Sequence, residues 1–358
     1  MALVRRQPRP IETPVSDLQA AWRERTPLVS VIVVARNEEA NIGACLEGIL
    51  SQDYPPDRIE VIVLDGMSGD RTREVVAGFA HRGVPVRVVP NPARQRTHGL
   101  NLGIQAARGE VICRIDARTR IPSTYVSSCL RAMRETGAEA VGAAMRPIAE
   151  TLTQEVIGIA MSHPFGVGGA QFRLGKKSGF VDTVYLGLYR RDVFDHVGLF
   201  DEAAPVISED TDLHYRLRRA GGKIYLDAGI PVYYKPRETF PSLWRLYFRY
   251  GGARAGYVLK HGRFTSWRRL VPPAFVLALA GLGAGALIDR HLLWPLAVVV
   301  GVYLAAAVGV SSAVAIRRGK LGLLGRLCLA FPCMHLAFGF GFWRRLLQRP
   351  KPGTYWGY

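Results

Sequence analysis

Two long uncharged stretches near the C-terminus constrain the fold of this chain more than any other feature. One runs from Leu270 to Ile288 and the other from Leu292 to Ile316, and neither contains an Asp, Glu, Lys or Arg. At a helical rise of about 1.5 Å per residue, each is long enough to cross roughly 30 Å of hydrocarbon. A soluble helix of this length normally keeps a polar face. The sequence therefore predicts two membrane-spanning helices, at 270–288 and 292–316.

A third apolar stretch, 327–343, is shorter and is broken by Pro332 and His335. It either spans the membrane or forms a re-entrant or surface-lying segment. Basic side chains crowd the edges of the three stretches, and such clusters mark the cytoplasmic side of a membrane. They are Lys260, Arg263, Arg268, Arg269, Arg317, Arg318, Lys320, Arg344, Arg345, Arg349 and Lys351. With the large N-terminal region inside, a complete third span would leave a basic tail outside, so the charge rule favours a segment that does not cross.

The chain carries a net charge of +18, which could indicate nucleic-acid binding. Because the basic residues follow the membrane edges, we expect membrane lipids as partners and no nucleic acid.

The five cysteines form no CxxC pair, which argues against a disulfide framework and a zinc site and for a reducing compartment. Residues 1–27 lack the apolar core of a signal peptide and predict an N-terminal arm, with a helix from Ser16 to Arg25.

Four apolar, β-branched runs alternate with helical patterns in the first third of the chain. The runs are Leu28–Ala35, Ile59–Leu64, Val84–Val89 and Glu110–Ile115. This alternation predicts an α/β domain with a mainly parallel sheet, in which ligands bind outside the carboxyl ends of the strands. Polar residues follow all four runs: Glu38, Asp65, the segment from Arg94 to Asn101, and Asp116. No glycine-rich phosphate loop follows a strand, so dinucleotide-binding and ATP-hydrolysing functions lose most of their support.

A dense group of carboxylates lies further along, in the segment Ile207-Ser-Glu-Asp-Thr-Asp-Leu213. An ionised carboxylate beside a reacting hydroxyl can act as a general base. Alternatively, Ser208 caps a helix and the acidic residues occupy its first turn, where the helix dipole favours negative charge. The two interpretations are compatible, since a capped helix can also present one catalytic carboxylate and keep another as a structural member.

Several separated segments resemble the inverting glycosyltransferases of family 2, over about residues 30–262. They are Val33-Val-Ala-Arg-Asn-Glu-Glu39, Val63-Leu-Asp65, Leu100-Asn-Leu-Gly-Ile104 and Ser208-Glu-Asp210. Others are similar to the membrane-bound ExoA-like branch of succinoglycan biosynthesis, namely Arg114–Arg118, His163–Gly169, Phe180–Gly187 and Arg245–Gly251. The resemblance implies a GT-A (Rossmann-like) domain at 28–262 and a membrane domain at 263–358.

The resemblance also implies roles for individual residues. Asp210 would take the proton of the acceptor hydroxyl, and Glu209 would bind the acceptor or orient that base. A nucleotide-sugar pocket would be formed by Ala35, Asn37, Glu38, Asp65, Asn101, Asp116 and Arg118. Asp116 would contact the ribose or hold a divalent cation, Mg²⁺ or Mn²⁺, on the diphosphate.

Two departures from the family pattern bear on the diphosphate and the acceptor. Arg118 stands where the DxD motif has its second carboxylate, so it either pairs with the diphosphate or faces solvent. In place of the QxxRW motif of processive synthases, the chain has Arg249-Tyr-Gly-Gly-Ala-Arg254. Arg249 or Arg254 could still contact the diphosphate, and Asp182 and His163 could line the acceptor site, although the position of His163 before Pro164 favours a plain loop residue.

The expected function is a single sugar transfer from a nucleotide sugar, UDP-linked by analogy, to a polyprenyl diphosphate-linked saccharide. It would occur at the cytoplasmic face of the inner membrane, in exopolysaccharide or cell-envelope glycan synthesis, with a multi-pass membrane domain as the anchor. The alternatives are a polyprenyl-phosphate sugar synthase and an inactive membrane-tethered scaffold.

Overall fold

The computed structural model describes residues 25–80, 82–203, 209–263 and 267–348. Most of the predicted N-terminal arm and its helix, and the predicted cap Ser208, lie outside these ranges. The chain divides into two compact units. The first combines the chain up to Arg146 with Gly175–Tyr234, and the second combines Pro147–Leu174 with the chain from Lys235 onward.

One mixed sheet organises the first unit. Its strands are β1 (Val29–Ala35), β2 (Ile59–Asp65), β3 (Val86–Pro90), β4 (Val111–Asp116), β5 (Thr119–Arg120), β6 (Ala140–Pro147), β7 (Gly179–Phe180), β8 (Tyr185–Arg190) and β9 (Ile224–Tyr234). The strand order is β3-β2-β1-β4-β8-β6-β9-β5, with β7 paired to β9. The neighbours from β3 to β4 are parallel, whereas β8 pairs antiparallel with β4 and β6. The predicted α/β fold with a mainly parallel sheet is confirmed, and antiparallel strands extend the sheet on one side.

Three of the four predicted strands, β1, β2 and β4, form because most of their side chains are apolar and buried on both faces. All seven residues of β2 are buried, and six of the seven in β1 are buried as well. Helices cover both faces of such a sheet, which removes the side chains from water. Each fully buried Val, Ile or Leu side chain contributes roughly 1.5–3 kcal/mol relative to an exposed one. The core beside these strands is therefore the rigid support for the loops that follow them.

Thirteen helices complete the described chain. They are α1 (Glu39–Leu50), α2 (Thr72–Ala77), α3 (Arg96–Ala106), α4 (Tyr125–Thr136), α5 (Leu152–Ala160), α6 (Pro164–Val167), α7 (Gln171–Leu174), α8 (Asp192–Val197), α9 (Glu209–Arg219), α10 (Phe240–His261), α11 (Val271–Ala286), α12 (Leu293–Arg317) and α13 (Leu323–Leu347). Helices α5–α7 and α10–α13 belong to the second unit.

Three helices of the second unit are long and apolar enough to cross a membrane, among the residues that the structure describes. They cover Trp267–Ala286, Arg290–Arg317 and Leu323–Leu347. The first two match the predicted stretches. The third includes the stretch that the sequence leaves as a spanning, re-entrant or surface-lying segment, and there α13 runs continuously through Pro332. A proline ring removes one backbone donor and tends to kink a helix. Here α13 packs against α10, α11 and α12, and those contacts keep the helix continuous across Pro332.

Candidate active site

The carboxyl ends of β1, β2 and β4 meet at one edge of the sheet. Ala35, the last residue of β1, is in register with Asp65 at the end of β2. Val34 in β1 is in register with Asp116 at the end of β4. Parallel pairing thus brings side chains from three distant segments to the same edge, where α/β sheets bind their ligands.

The loops after β1 and β2 are fastened to each other by Asn37. Its backbone N–H donates to Ser68 Oγ at 3.0 Å, and its side-chain oxygen accepts from Gly69 N at 2.9 Å. Asn37 has a φ of +54°, a left-handed conformation that asparagine tolerates better than most residues. The carboxylate of Asp65 is buried and accepts from Ser68 N at 3.2 and 3.3 Å. The two loops therefore form one preformed rim.

Glu38 continues this rim and forms an ion pair with Arg118. Arg118 Nε lies 2.7 and 2.9 Å from the two carboxylate oxygens of Glu38, and Asn41 Nδ2 donates to the same carboxylate at 2.9 Å. The Glu38 side chain is 13% exposed and that of Arg118 is 61% exposed. Arg118 was expected to face either solvent or a diphosphate. Instead, it reaches back to Glu38 while most of its surface stays in water.

Arg114 lies at the centre of a cluster of carboxylates. It is part of β4 and is almost fully buried. Its guanidinium donates to Glu209 Oε1 at 2.8 Å, to Asp116 Oδ1 at 3.4 Å and to Asp210 Oδ1. A buried arginine needs such partners because an uncompensated charge is costly away from water. The planar fork of its donors fixes carboxylates from two elements relative to each other.

A second arginine, Arg96, closes the cluster from the first residue of α3. It pairs with Asp116, and its Nε lies 3.0 Å from Glu209 Oε1. Tyr185 OH donates to the other oxygen of Asp116 at 3.1 Å. Burial raises the pKa of Asp116, but the charges of Arg96 and Arg114 outweigh it, so this pKa lies below its ordinary value. Asp116 is therefore ionised at neutral pH.

Glu209 and Asp210 differ in their environments although they are adjacent in α9. The side chain of Glu209 is 4% exposed, whereas that of Asp210 is 16% exposed. Burial raises the pKa of Glu209, and Arg114 and Arg96 offset this effect only partly, so the pKa stays above its ordinary value. The more open Asp210 is the member of this pair that an external hydroxyl group can reach.

The rest of the first two turns of α9 is structural. Asp212 is fully buried and accepts from Arg216 Nε at 2.9 Å, as expected for the structural member of the acidic group. His214 is also fully buried, with Nδ1 at 2.8 Å from Thr183 Oγ1 and Nε2 at 2.9 Å from Tyr189 OH. Burial and neighbouring arginines lower its pKa to about 3. A neutral His214 thus anchors the helix one turn after Asp210.

Asn101 has a different environment from the one predicted for a nucleotide ligand. Its side-chain amide donates to Phe200 O and to Glu202 Oε1, both at 2.9 Å, and its oxygen accepts from Phe200 N at 2.9 Å. These bonds use both donors and fasten the segment 200–202 to α3. We therefore assign Asn101 to positioning this segment.

The comparisons with known proteins agree with this arrangement. The family model described as glycosyl transferase family 2 matches residues 30–198. The succinoglycan biosynthesis protein ExoA of Rhizobium meliloti is 33% identical over 330 residues, which cover 91% of this chain and 97% of that protein. The chain belongs to glycosyltransferase family 2. It is accordingly a glycosyltransferase, and the typical mechanism of this family inverts the configuration at the anomeric carbon of the transferred sugar.

Two further proteins resemble this family 2 enzyme. A Methanococcus voltae protein is 25% identical over 71% of this chain and 80% of its own length. It is named as a dolichyl N-acetyl-α-D-glucosaminyl phosphate 3-β-D-2,3-diacetamido-2,3-dideoxy-β-D-glucuronosyltransferase. The solved structure of the mannosyltransferase PcManGT from Pyrobaculum calidifontis, in complex with GDP-Man and Mn²⁺, aligns with a TM-score of 0.59 and 18% identity. It covers 93% of each chain and shows the shared fold.

A divalent cation fits the described site of this family 2 enzyme poorly. Across residues 25–80, 82–203, 209–263 and 267–348, no group of three or more His, Cys, Asp or Glu side chains could hold a metal ion. Asp116, the expected ligand, is already engaged by Arg96, Arg114 and Tyr185. Hard cations prefer several oxygen ligands, and two arginines beside one carboxylate oppose them. The positive charge that faces Asp116 in this enzyme is supplied by the protein.

The four residues predicted for the acceptor or the diphosphate are divided between the two units. Asp182, in the first unit, accepts from Arg218 Nη1 at 2.5 Å. The other three belong to the second unit. His163 caps α6, because its Nδ1 accepts from Phe165 N at 3.2 Å. Arg249 and Arg254 lie on α10, where the Arg254 guanidinium is 5.6 Å from the centre of the Tyr257 ring.

Sequence reasoning missed Arg114, Arg96, Tyr185 and His214 as members of this site. Arg114 had a detectable signal, because a charged residue inside the apolar run Val111-Ile-Cys-Arg-Ile115 requires buried partners. His214 had a weaker signal in the sequence. It follows Asp210 by four residues, which places both side chains on the same side of a helix. Tyr185 had only the family resemblance of the segment Phe180–Gly187, since the antiparallel strand β8 that carries it was not predicted.

Proposed function

We propose that this chain transfers a sugar, with inversion, from a nucleotide sugar to a saccharide carried on polyprenyl diphosphate. One observation supports the proposal most directly: Asp116, Glu209 and Asp210 converge on Arg114 and Arg96 at the carboxyl ends of parallel strands. Three carboxylates and two arginines carry opposite charges that suit different parts of the reaction. A carboxylate can accept a proton, and a guanidinium can face a phosphate.

Asp210 is the proposed general base. The acceptor oxygen attacks the anomeric carbon, the bond from that carbon to the diphosphate oxygen breaks, and the diphosphate leaves with the electron pair. The hydroxyl proton passes to Asp210. Its partial exposure lets the acceptor approach, while Arg114 holds one carboxylate oxygen and leaves the other for the proton. General base catalysis of this kind contributes typically 10²–10⁴-fold in rate.

Glu209 and Asp116 are proposed to orient the reacting groups. Arg114 and Arg96 hold both carboxylates: Glu209, whose pKa burial raises above its ordinary value, and Asp116, whose pKa lies below it. Asp116 is proposed to contact the ribose. The neighbouring rim is proposed to hold the nucleobase and ribose through Ala35, Asn37, Glu38 and Asp65. The preferred donor is a UDP-linked sugar.

The departing diphosphate requires positive charge. Arg96 is a candidate, since it begins α3 and its side chain is 26% exposed, and a helix N-terminus also favours anions. Arg118 is a second candidate if it leaves Glu38. Arg249 and Arg254 remain proposals for the same task. Mg²⁺ or Mn²⁺ is expected from the family, but two arginines already face Asp116, so the proposed steps depend on the arginines and not on a cation.

Two kinds of observation support the proposed acceptor and the proposed membrane face. The relatives named above are a succinoglycan biosynthesis protein and a transferase named for a dolichyl phosphate-linked sugar. Helices α11 and α12 are apolar enough to anchor the chain, with basic residues at the edge that marks the cytoplasmic side. We propose transfer at that face of the inner membrane, in the synthesis of an exopolysaccharide or a cell-envelope glycan.

A donor and acceptor screen tests this function. The full chain in nanodiscs is given radiolabelled UDP- and GDP-sugars with polyprenyl diphosphate saccharides or with bare polyprenyl phosphate. We expect labelled product only with the saccharide acceptor, and mild acid should release an oligosaccharide. Release of a single sugar from polyprenyl phosphate would instead establish a polyprenyl-phosphate sugar synthase. Absence of transfer from every donor, by protein that is folded, would contradict the proposal and favour the scaffold.

A further inference from the structure

Helices α11 and α12 form an antiparallel hairpin with an apolar outer surface. Residues 287–292 join them, and the rings of Phe275 and Tyr303 stack with centroids 4.5 Å apart. Near the turn, Leu287, Ile288 and Trp294 are 89%, 93% and 77% exposed. Apolar side chains so exposed at a hairpin tip suit hydrocarbon. If both helices cross, the start of α11 and the end of α12 lie on one membrane face, called here the near face.

The first turn of α13 lies at this near face. Only five residues separate Arg317, the end of α12, from Leu323, the start of α13. In that connection Lys320 Nζ lies 2.9 Å from Glu155 Oε1 on α5. An ion pair between exposed side chains belongs in water. Helix α13 therefore starts where α12 ends.

The last turns of α13 return to the same face. Trp343 Nε1 donates to Pro273 O at 2.7 Å, and Pro273 belongs to the first turn of α11. A Cβ added to Gly339 would lie 2.7 Å from Pro272 O. The helix from Leu323 to Trp343 is about 30 Å long, enough to cross the hydrocarbon. A crossing helix would thus place Trp343 at the far face, away from the start of α11, which contradicts these contacts.

Helix α10 packs against α13 and carries charged side chains, which are unfavourable in hydrocarbon. A Cβ on Gly251 would lie 1.9 Å from Phe338 O, and one on Gly341 would lie 1.9 Å from Phe248 O, so the two backbones touch. Arg245 on α10 is exposed. An arginine at the bilayer centre costs about 2.5–3.5 kcal/mol on insertion scales. Trp244 and Phe340, one from each helix, are both exposed with ring centroids 6.1 Å apart. Aromatic side chains of this kind are enriched at membrane interfaces.

We propose that α13 does not cross the membrane. The chain spans the bilayer twice, through the α11–α12 hairpin, while α10 and α13 lie together in the headgroup layer of the near face. The end of α13 at Leu347 then lies on the near face, where α11 begins. This inference does not depend on the proposed acceptor or on the assignment of Asp210.

Cysteine labelling of the full chain tests the proposal. In a background with the five native cysteines replaced by serine or alanine, three single-cysteine variants are compared: Glu47→Cys on α1, Ile288→Cys at the hairpin turn and Leu347→Cys at the end of α13. All three original side chains are exposed. An impermeant maleimide is added to intact cells and to inverted membrane vesicles. We expect Glu47→Cys and Leu347→Cys to react only in inverted vesicles, and Ile288→Cys only in intact cells.

A fusion at Tyr358 gives an independent result if Leu347→Cys is shielded by lipid. Green fluorescent protein fused there should fluoresce in cells, and alkaline phosphatase fused there should be inactive, since both would be cytoplasmic. Labelling of Leu347→Cys from outside together with Ile288→Cys, or an active phosphatase fusion, would overturn the proposal and establish a third span.

Discussion

The guanidinium of Arg114, inside β4, pairs with the carboxylate of Asp210, in the first turn of α9. The strand fixes the arginine within the sheet, and the arginine fixes the proposed base. The same guanidinium reaches Glu209 and Asp116. The position of Asp210 therefore depends on the sheet as much as on the helix that carries it.

Replacement of Arg114 should damage both stability and transfer. Arg114→Met leaves three clustered carboxylates with one arginine, and breaking a buried ion pair costs about 3–5 kcal/mol. We expect a clear drop in the thermal unfolding midpoint of the detergent-solubilised protein. Arg114→Lys should unfold closer to wild type but transfer slowly, because a single ammonium cannot bind three carboxylates as the fork does. Arg131→Met, at an exposed position of α4, is the control. Equal midpoints for Arg114→Met and Arg131→Met would contradict this role.

Substitution of Arg118 by aspartate should change the response to divalent cations. Arg118→Asp removes the partner of Glu38 and adds a second carboxylate two residues from Asp116, which supplies oxygen ligands that Mg²⁺ and Mn²⁺ prefer. The Mn²⁺ concentration for half-maximal transfer should fall relative to wild type. Because the Arg118 side chain is 61% exposed, its ion pair contributes at most about 1 kcal/mol, so folding should be retained. Arg118→Ala is the matched control, and an identical Mn²⁺ response for both variants would argue against a cation beside Asp116.

Acid should destabilise the first unit through His214. The unfolded chain takes up this proton near pH 6.5, whereas burial keeps the folded pKa at about 3. Between these values the unfolded state binds more protons, so the free energy of unfolding falls as pH decreases, by up to roughly 1.4 kcal/mol per pH unit. His214→Gln removes this contribution. The unfolding midpoint of the variant should change less than that of wild type between pH 7 and pH 5. Parallel curves would show that His214 is not the titrating group.

The close contact between α10 and α13 should not tolerate a side chain. Gly341→Leu places a bulky group against the backbone of α10, where even a Cβ would be 1.9 Å from Phe248 O. Overpacking of this kind costs typically about 1–3 kcal/mol. We expect a lower unfolding midpoint for this variant. Gly281→Leu, where nothing lies within 4 Å of an added Cβ, is the control and should unfold as wild type does. A stable Gly341→Leu protein would mean that the helices separate freely.

Much of the fold could be predicted because its signals are local. The apolar runs of β1, β2 and β4, the two uncharged spans and the acidic first turn of α9 each occupy one short segment. Non-local features were not accessible. The ion pair of Arg118 with Glu38 joins residues 80 positions apart, and the contacts of Asn101 with Phe200 join residues 99 apart. The continuity of α13 through Pro332 also depends on packing against other helices, which the local preference of proline does not reveal.

The transfer rate of Asp210→Asn tests the central assignment most directly. Asparagine keeps the shape of the side chain but cannot accept the acceptor proton, so the turnover number should fall about 10²–10⁴-fold. The matched control Asp195→Asn, at an exposed position of α8, should transfer at the wild-type rate. Both variants should unfold at similar temperatures and be assayed in nanodiscs with the donor and acceptor found in the screen. Wild-type turnover by folded Asp210→Asn would contradict the account and place the base elsewhere.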